Sequence, residues 1–144
     1  MRNRALALLV AAFLPLFGTL PAWAVPTTLT VQQAPSVYST IAPGAATVTM
    51  VAGDAVNGND FVSSGDEEII LNNTGGSAYT VTISSVADSL GRTKDIATYS
   101  IAIDGIARFG PFPPHGWKDA SNKIKFTVSN ALVFVGVVRL PSNR

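Results

Sequence analysis

Apolar and polar residues alternate along most of the chain. In Ala78–Ser84, Tyr79, Val81 and Ile83 fall on one side, and Thr80, Thr82 and Ser84 on the other. In Lys123–Ser129, Ile124, Phe126 and Val128 alternate with Lys123, Lys125 and Thr127. Successive side chains of a strand point to opposite faces, so a period of two predicts strands with one buried face. Ala97–Asp104 repeats the pattern with Tyr99, Ile101 and Ile103 inward, and Thr27–Gln33 repeats it with Leu29 and Val31. Thr47–Ala52, Glu68–Leu71 and Ile106–Phe109 are shorter runs of the same kind. Leu132–Leu140 is apolar on both faces, which predicts a central strand or one covered by a partner. No segment sustains a helical period.

Turn formers punctuate these runs. Asn72–Gly76 accepts positive φ and predicts a tight reversal, making a hairpin of Glu68–Leu71 and Ala78–Ser84. Asp104-Gly105 predicts a second hairpin returning through Ile106–Phe109. Gly53–Asp60, Ser63–Asp66 and Val86–Lys94 read as loops. Ala34–Gly44 holds two prolines and no period, so it reads as a loop or arm. Phe109-Gly110-Pro111-Phe112-Pro113-Pro114-His115-Gly116-Trp117 is a fixed corner, because proline locks φ and lacks an N–H. Its aromatic side chains need burial or a partner surface.

About eight short strands with turn signals at this spacing predict an all-β fold, a single antiparallel β-sandwich or small barrel. Residues 25–46 form an N-terminal strand and arm, and 47–144 the sandwich domain. The strand 27–33 joins that domain or a neighbouring molecule.

Ahead of them, residues 1–24 carry the three parts of a signal peptide, and a signal helix is expected there. Arg2 and Arg4 supply positive charge, Ala5–Phe17 is apolar, and Ala22-Trp23-Ala24 gives the small-x-small cleavage pattern. The reading implies a secreted or cell-surface protein with no membrane segment in its mature form.

Composition narrows the chemistry. The chain is 47% hydrophobic and only 13% charged, with a net charge of +1. No basic patch exists to hold nucleic acid. The absence of cysteine excludes disulfides, thiol catalysis and thiolate metal sites.

The remaining candidates are weak. His115 is the single histidine, and no nucleophile-elbow sequence accompanies it. It reads as a turn residue. Asp54, Asn57, Asn59 and Asp60 offer oxygens in one loop, but at a spacing unlike an EF-hand, so an Asx turn is expected. Asp66-Glu67-Glu68 reads as a solvated run beside a strand. Asn72-Asn73-Thr74 fits a glycosylation acceptor and is read as a chance match. Lys118, Lys123 and Lys125 are expected to keep an edge strand soluble. These readings together predict no enzyme, no cofactor and no metal.

The order of several short motifs carries a resemblance. They are Thr28-Leu29-Thr30-Val31-Gln32, Gly58-Asn59-Asp60-Phe61, Ile70-Leu71-Asn72-Asn73 and Thr80-Val81-Thr82-Ile83. They continue with Phe109-Gly110-Pro111-Phe112-Pro113 and Val137-Val138-Arg139-Leu140-Pro141. From Pro26 to Pro141 the chain resembles the small capsid decoration or head-stabilisation proteins of tailed phages. The resemblance implies a non-enzymatic all-β domain that binds a capsid lattice in the virion, often as a trimer. Combined with a signal peptide, it also fits an exported, self-assembling surface or filament subunit.

The expected partners are therefore copies of the chain itself, in a trimer or filament, and a capsid lattice. Candidate interface residues are Leu29, Val31, Phe109, Phe112, Trp117, Phe134 and Val138. The alternative from another class is a secreted carbohydrate-binding module, with Trp117, Phe112 and Phe109 stacking on sugar rings.

Overall fold

The computed structural model describes residues 25–35, 42 and 44–141. The expected signal peptide and most of the arm lie outside these residues. Ten strands form among the described residues: β1 (Thr27–Thr28), β2 (Val31–Gln33), β3 (Val51–Ala52), β4 (Asn59–Val62) and β5 (Glu67–Asn73), then β6 (Tyr79–Ser84), β7 (Ile96–Ile101), β8 (Ile106–Phe109), β9 (Lys123–Val128) and β10 (Val133–Arg139). One sheet has the order β1-β4-β9-β6-β7. The other has the order β2-β10-β5-β8, with β3 also on β10. The two layers make a β-sandwich, as the alternation predicts. Pairing is antiparallel except at β1–β4 and β2–β10, which are parallel.

The sequence-adjacent hairpins do not form. β5 and β6 lie in different sheets, as do β7 and β8, and β9 and β10. Among the ten strands, β6 and β7 are the one pair both consecutive in sequence and paired within a sheet. Asn73 explains the first departure. It is fully buried, and its Nδ2 donates to the carbonyls of Ser77, Ile101 and Ala102 at 2.8, 3.1 and 3.0 Å. Asn72-Asn73-Thr74-Gly75-Gly76 is thus a corner that carries the chain across the sandwich. At the second departure, Gly105 N–H donates to the Ala102 carbonyl at 3.0 Å and Asp104 takes φ 56°. That turn also steps between layers, and it leaves Ile103 exposed rather than inward.

The core lies between the layers. Phe61, Ile69, Leu71, Val81, Ile83, Ile124, Val133, Val135 and Val137 are fully enclosed. Burial of each such side chain contributes about 2 kcal/mol. Phe61 and Phe126 meet edge to face with centroids 6.5 Å apart. β10 is central, between β5 and the short β2 and β3, which accounts for its two apolar faces. Gly136 stands within it because a Cβ there would lie 2.9 Å from Val48 Cγ1. β9 is also central, so its lysines do not guard an edge: Lys123 binds Asp60 and Lys125 binds Asp119, each at 3.0 Å.

The run 27–33 joins its own domain but divides. Thr27–Thr28 pairs with β4, Val31–Gln33 pairs with β10, and Leu29, 7% exposed, crosses between the sheets. Asn59 and Asp60, read as loop, belong to β4 and are buried. Of Thr47–Ala52, only Val51–Ala52 is a strand. Thr49 is instead held by the Gln32 side-chain amide, which gives and accepts one hydrogen bond at 2.7 Å each, as a backbone neighbour would.

Candidate functional site

Two places combine exposure with unusual chemistry. The first is the side of the sandwich where the edge strands β7 and β8 meet. By register Tyr99 opposes Val81, so its ring faces inward, yet it is 48% exposed because no further strand covers it. It packs edge to face on Phe109, with centroids 5.1 Å apart. Ile103 (55% exposed) and Ile106 (69% exposed) lie in and beside the turn that follows. Residues 97–100 of β7 are exposed and uncharged. Natural edges are usually protected by lysine, proline, bulges or cover. Here one irregularity is present, a register shift between Val81 and Ile83 opposite Thr98, which takes φ 48°.

The second place is the proline corner. Phe112 is buried in the core and backs Trp117, with ring centroids 4.8 Å apart. Gly110, at φ 113°, lies so close to β5 that a Cβ would come within 2.6 Å of the Glu67 carbonyl oxygen. The corner is joined to the β6–β7 loop by Val86 N–H donating to the Gly116 carbonyl at 2.7 Å. Between corner and loop lies a cleft of about 570 Å³ lined by residues including Asp88, Arg92, Lys94, Pro113, His115 and Trp117. Ser85 also lines it, but its hydroxyl donates to Asp95 Oδ1 at 2.7 Å. A serine–histidine nucleophile needs that proton directed at the imidazole.

The candidate interface residues separate. Leu29 and Phe112 are core side chains, and Val138 is 8% exposed in the central strand. Val31 and Phe109 are half-buried against the core, and Phe134 is half-buried on β10. Phe109 alone reaches the β7–β8 side, and Trp117 alone the cleft. The alternation places Tyr99 and Ile103 inward and does not mark Ile106, because alternation cannot tell an edge strand from a covered one.

The acidic residues carry structural work. Glu67 is not solvated as its run suggests; it is 1% exposed. Its carboxylate accepts from Ser63 Oγ, Ser64 N and Oγ, and Gly65 N at 2.6 to 3.0 Å, and from Arg139 Nε at 2.6 Å. Burial pushes its pKa up, but the Ser64, Arg139, Gly65 and Ser63 donors outweigh that and hold it at about 2, against an ordinary 4.5. Glu68 pairs with Arg108.

Asp54 forms the expected Asx turn. Its carboxylate accepts from the backbone of Val56 and Asn57, the Asn57 amide and the Thr27 hydroxyl. The Asn57 backbone bond, then its side chain and Thr27, lower its pKa to about 2. Among the described residues, no group of three or more histidines and acids is placed to hold a metal. No helix among them is long and apolar enough to cross a membrane.

No family model, no curated protein and no solved structure matched the chain.

Proposed function

We propose that this protein is a non-enzymatic structural subunit that works by assembling with copies of itself through the β7–β8 side. The observation that carries the reading is the uncharged, exposed run of β7 that holds Tyr99, with exposed Ile103 and Ile106 in and beside the turn that follows. A strand edge presents unpaired N–H and C=O groups that another strand satisfies by β-augmentation. The same edge of a second copy, laid antiparallel, offers matching groups and matching apolar surface. A closed two-fold contact of that kind is the commonest in soluble oligomers. A two-fold contact closes at the dimer, so the capsid lattice implied by the resemblance to phage decoration proteins would be engaged through a further surface of the sandwich. The signal-peptide pattern extends the proposal to an exported surface or filament subunit.

Size-exclusion chromatography with light scattering tests it. The wild-type protein should run as an oligomer, and a Tyr99→Lys, Ile106→Lys variant as a monomer with an unchanged circular dichroism spectrum. A wild type that stays monomeric up to about millimolar concentration overturns the reading, since contacts weaker than that sustain no stable assembly.

A further inference from the structure

The cleft between the proline corner and the β6–β7 loop plays no part in assembly through β7 and β8, and it has the features of a prepared binding site. Its loop is fixed internally by a set of side-chain hydrogen bonds. Ser85 N–H and hydroxyl both donate to Asp95 Oδ1 at 2.7 Å, and Lys94 N–H donates to Ser85 Oγ at 2.7 Å. The Asp88 carboxylate accepts from Leu90 N and Arg92 N at 2.8 and 3.0 Å, and from Arg92 Nε at 2.7 Å. Fixing a polar surface loop costs chain entropy, and binding to a loop already fixed does not incur that cost again.

The lining then defines the ligand. Trp117 is half-buried and braced by Phe112, so it offers a rigid aromatic wall, continued by Pro113. A second cleft of about 280 Å³ lies against Trp117 with Lys123 and Lys125, but those cations are already paired with Asp60 and Asp119. In the larger cleft Arg92 is paired with Asp88. The Lys94 ammonium makes no hydrogen bond among the described residues, but it acts through its charge on the Asp88 carboxylate that it shares the cleft with, so Asp88, Arg92 and Lys94 leave the lining one positive charge in excess. The His115 ring makes no hydrogen bond among the described residues.

We propose that this cleft binds an acidic saccharide. The C–H face of a pyranose, slightly positive, would lie on the negative face of the Trp117 ring. The sugar's carboxylate would be met by Lys94, with His115 donating beside it. A neutral sugar would leave the one excess positive charge of the lining unused, and a free anion would leave the aromatic wall unused. This inference stands apart from the assembly reading, and either can fail alone.

The full-length protein would be screened on immobilised glycans that include uronate- and sialate-bearing oligosaccharides and their neutral counterparts. A retained glycan would then be followed by titration calorimetry. At least one acidic glycan should be retained, with its neutral counterpart about tenfold weaker or worse, a ratio expected when one charge-assisted contact is lost. Lys94→Ala should weaken the acidic glycan by a similar factor without changing that of the neutral one. Trp117→Ala should abolish retention, and if that variant loses its circular dichroism signal, Lys94→Ala and His115→Ala, both exposed positions, decide the matter. Retention of no acidic glycan overturns the proposal, as does equal affinity in Lys94→Ala. Equal binding of acetate or inorganic phosphate would also overturn it, leaving only a surface ion site.

Discussion

On the side where β1 meets β2, the chain itself passes between the sheets. Leu29 fills the crossing, and its N–H donates to the Asp60 carbonyl at 2.7 Å. Lys123 reaches from the central β9 to Asp60 and to the Thr28 hydroxyl. Thr27 is pinned by Asp54, and Gln32 clasps Thr49. The side where β7 meets β8 is closed by one aromatic pair, Tyr99 and Phe109, and by the Asn73 amide at its turn. On the first flank these bonds tie the crossing segment to both sheets, although a cleft of about 510 Å³ lies among β1, β2, β3 and β10. The other leaves apolar area and backbone edge for something outside it. On the proposed reading, the second flank serves a contact and the first serves stability. Mutations should accordingly be costly on the first side and nearly silent, in the isolated subunit, on the second.

The largest loss is expected where β10 ends beside β2. Arg139→Ala leaves the Glu67 carboxylate buried without its cation, and removing one partner of such a pair costs about 4 kcal/mol. Urea denaturation followed by tryptophan fluorescence would measure it. The same site sets a pH window. Because the folded pKa of Glu67 is depressed, its contribution is complete above about 4.5 and is lost as pH falls towards about 2. A Glu67→Gln variant should be less stable at neutral pH and lose less stability across that window.

Leu29→Ala comes next, at about 3 kcal/mol, the usual cost of emptying an enclosed leucine site. It should lower the denaturation midpoint without changing the assembly mass at low temperature. Lys123→Ala follows at about 3 kcal/mol, since Asp60 is 3% exposed and both its carboxylate oxygens accept from Lys123. A companion Lys123→Ala, Asp60→Asn variant should recover part of the loss, which a mere packing role for the lysine stem would not produce.

The sandwich was legible because its strands alternate, and β6, β9 and β10 stand where the pattern places them. The connections were not legible. A turn such as Asn72–Gly76 has the same composition whether it returns a strand beside its neighbour or lifts it to the other layer. The choice is made by Asn73, whose amide finds carbonyls that are 28 and 29 residues away in sequence. Glu67 was misread for a similar reason. Its neighbours Asp66 and Glu68 suggest solvent, while its donors include Arg139, far away in the chain. Ser63-Ser64-Gly65 just before it is the one local signal, a run of small donors that can wrap a carboxylate. The difference between the two flanks was hidden as well, because Leu29 and Tyr99 occupy equivalent apolar positions in alternating runs and differ only in what lies beyond them.

The smallest effect on the subunit is expected from Tyr99→Ser. The ring is half-exposed and has one aromatic neighbour, so folding should weaken by about 1 kcal/mol, the scale of an aromatic pair plus partial burial. Thermal unfolding of dilute protein would check this. Association is a different matter, because a ring exposed in the subunit can become central in a contact, and aromatic anchors there commonly account for 2 kcal/mol or more. Light scattering across a dilution series should therefore show the variant dissociating at a concentration at least about thirtyfold higher than wild type. If Tyr99→Ser instead destabilised the dilute subunit as much as Leu29→Ala, the β7–β8 side would be part of the core. If it left both stability and association unchanged, the assembly contact would lie elsewhere on the sandwich.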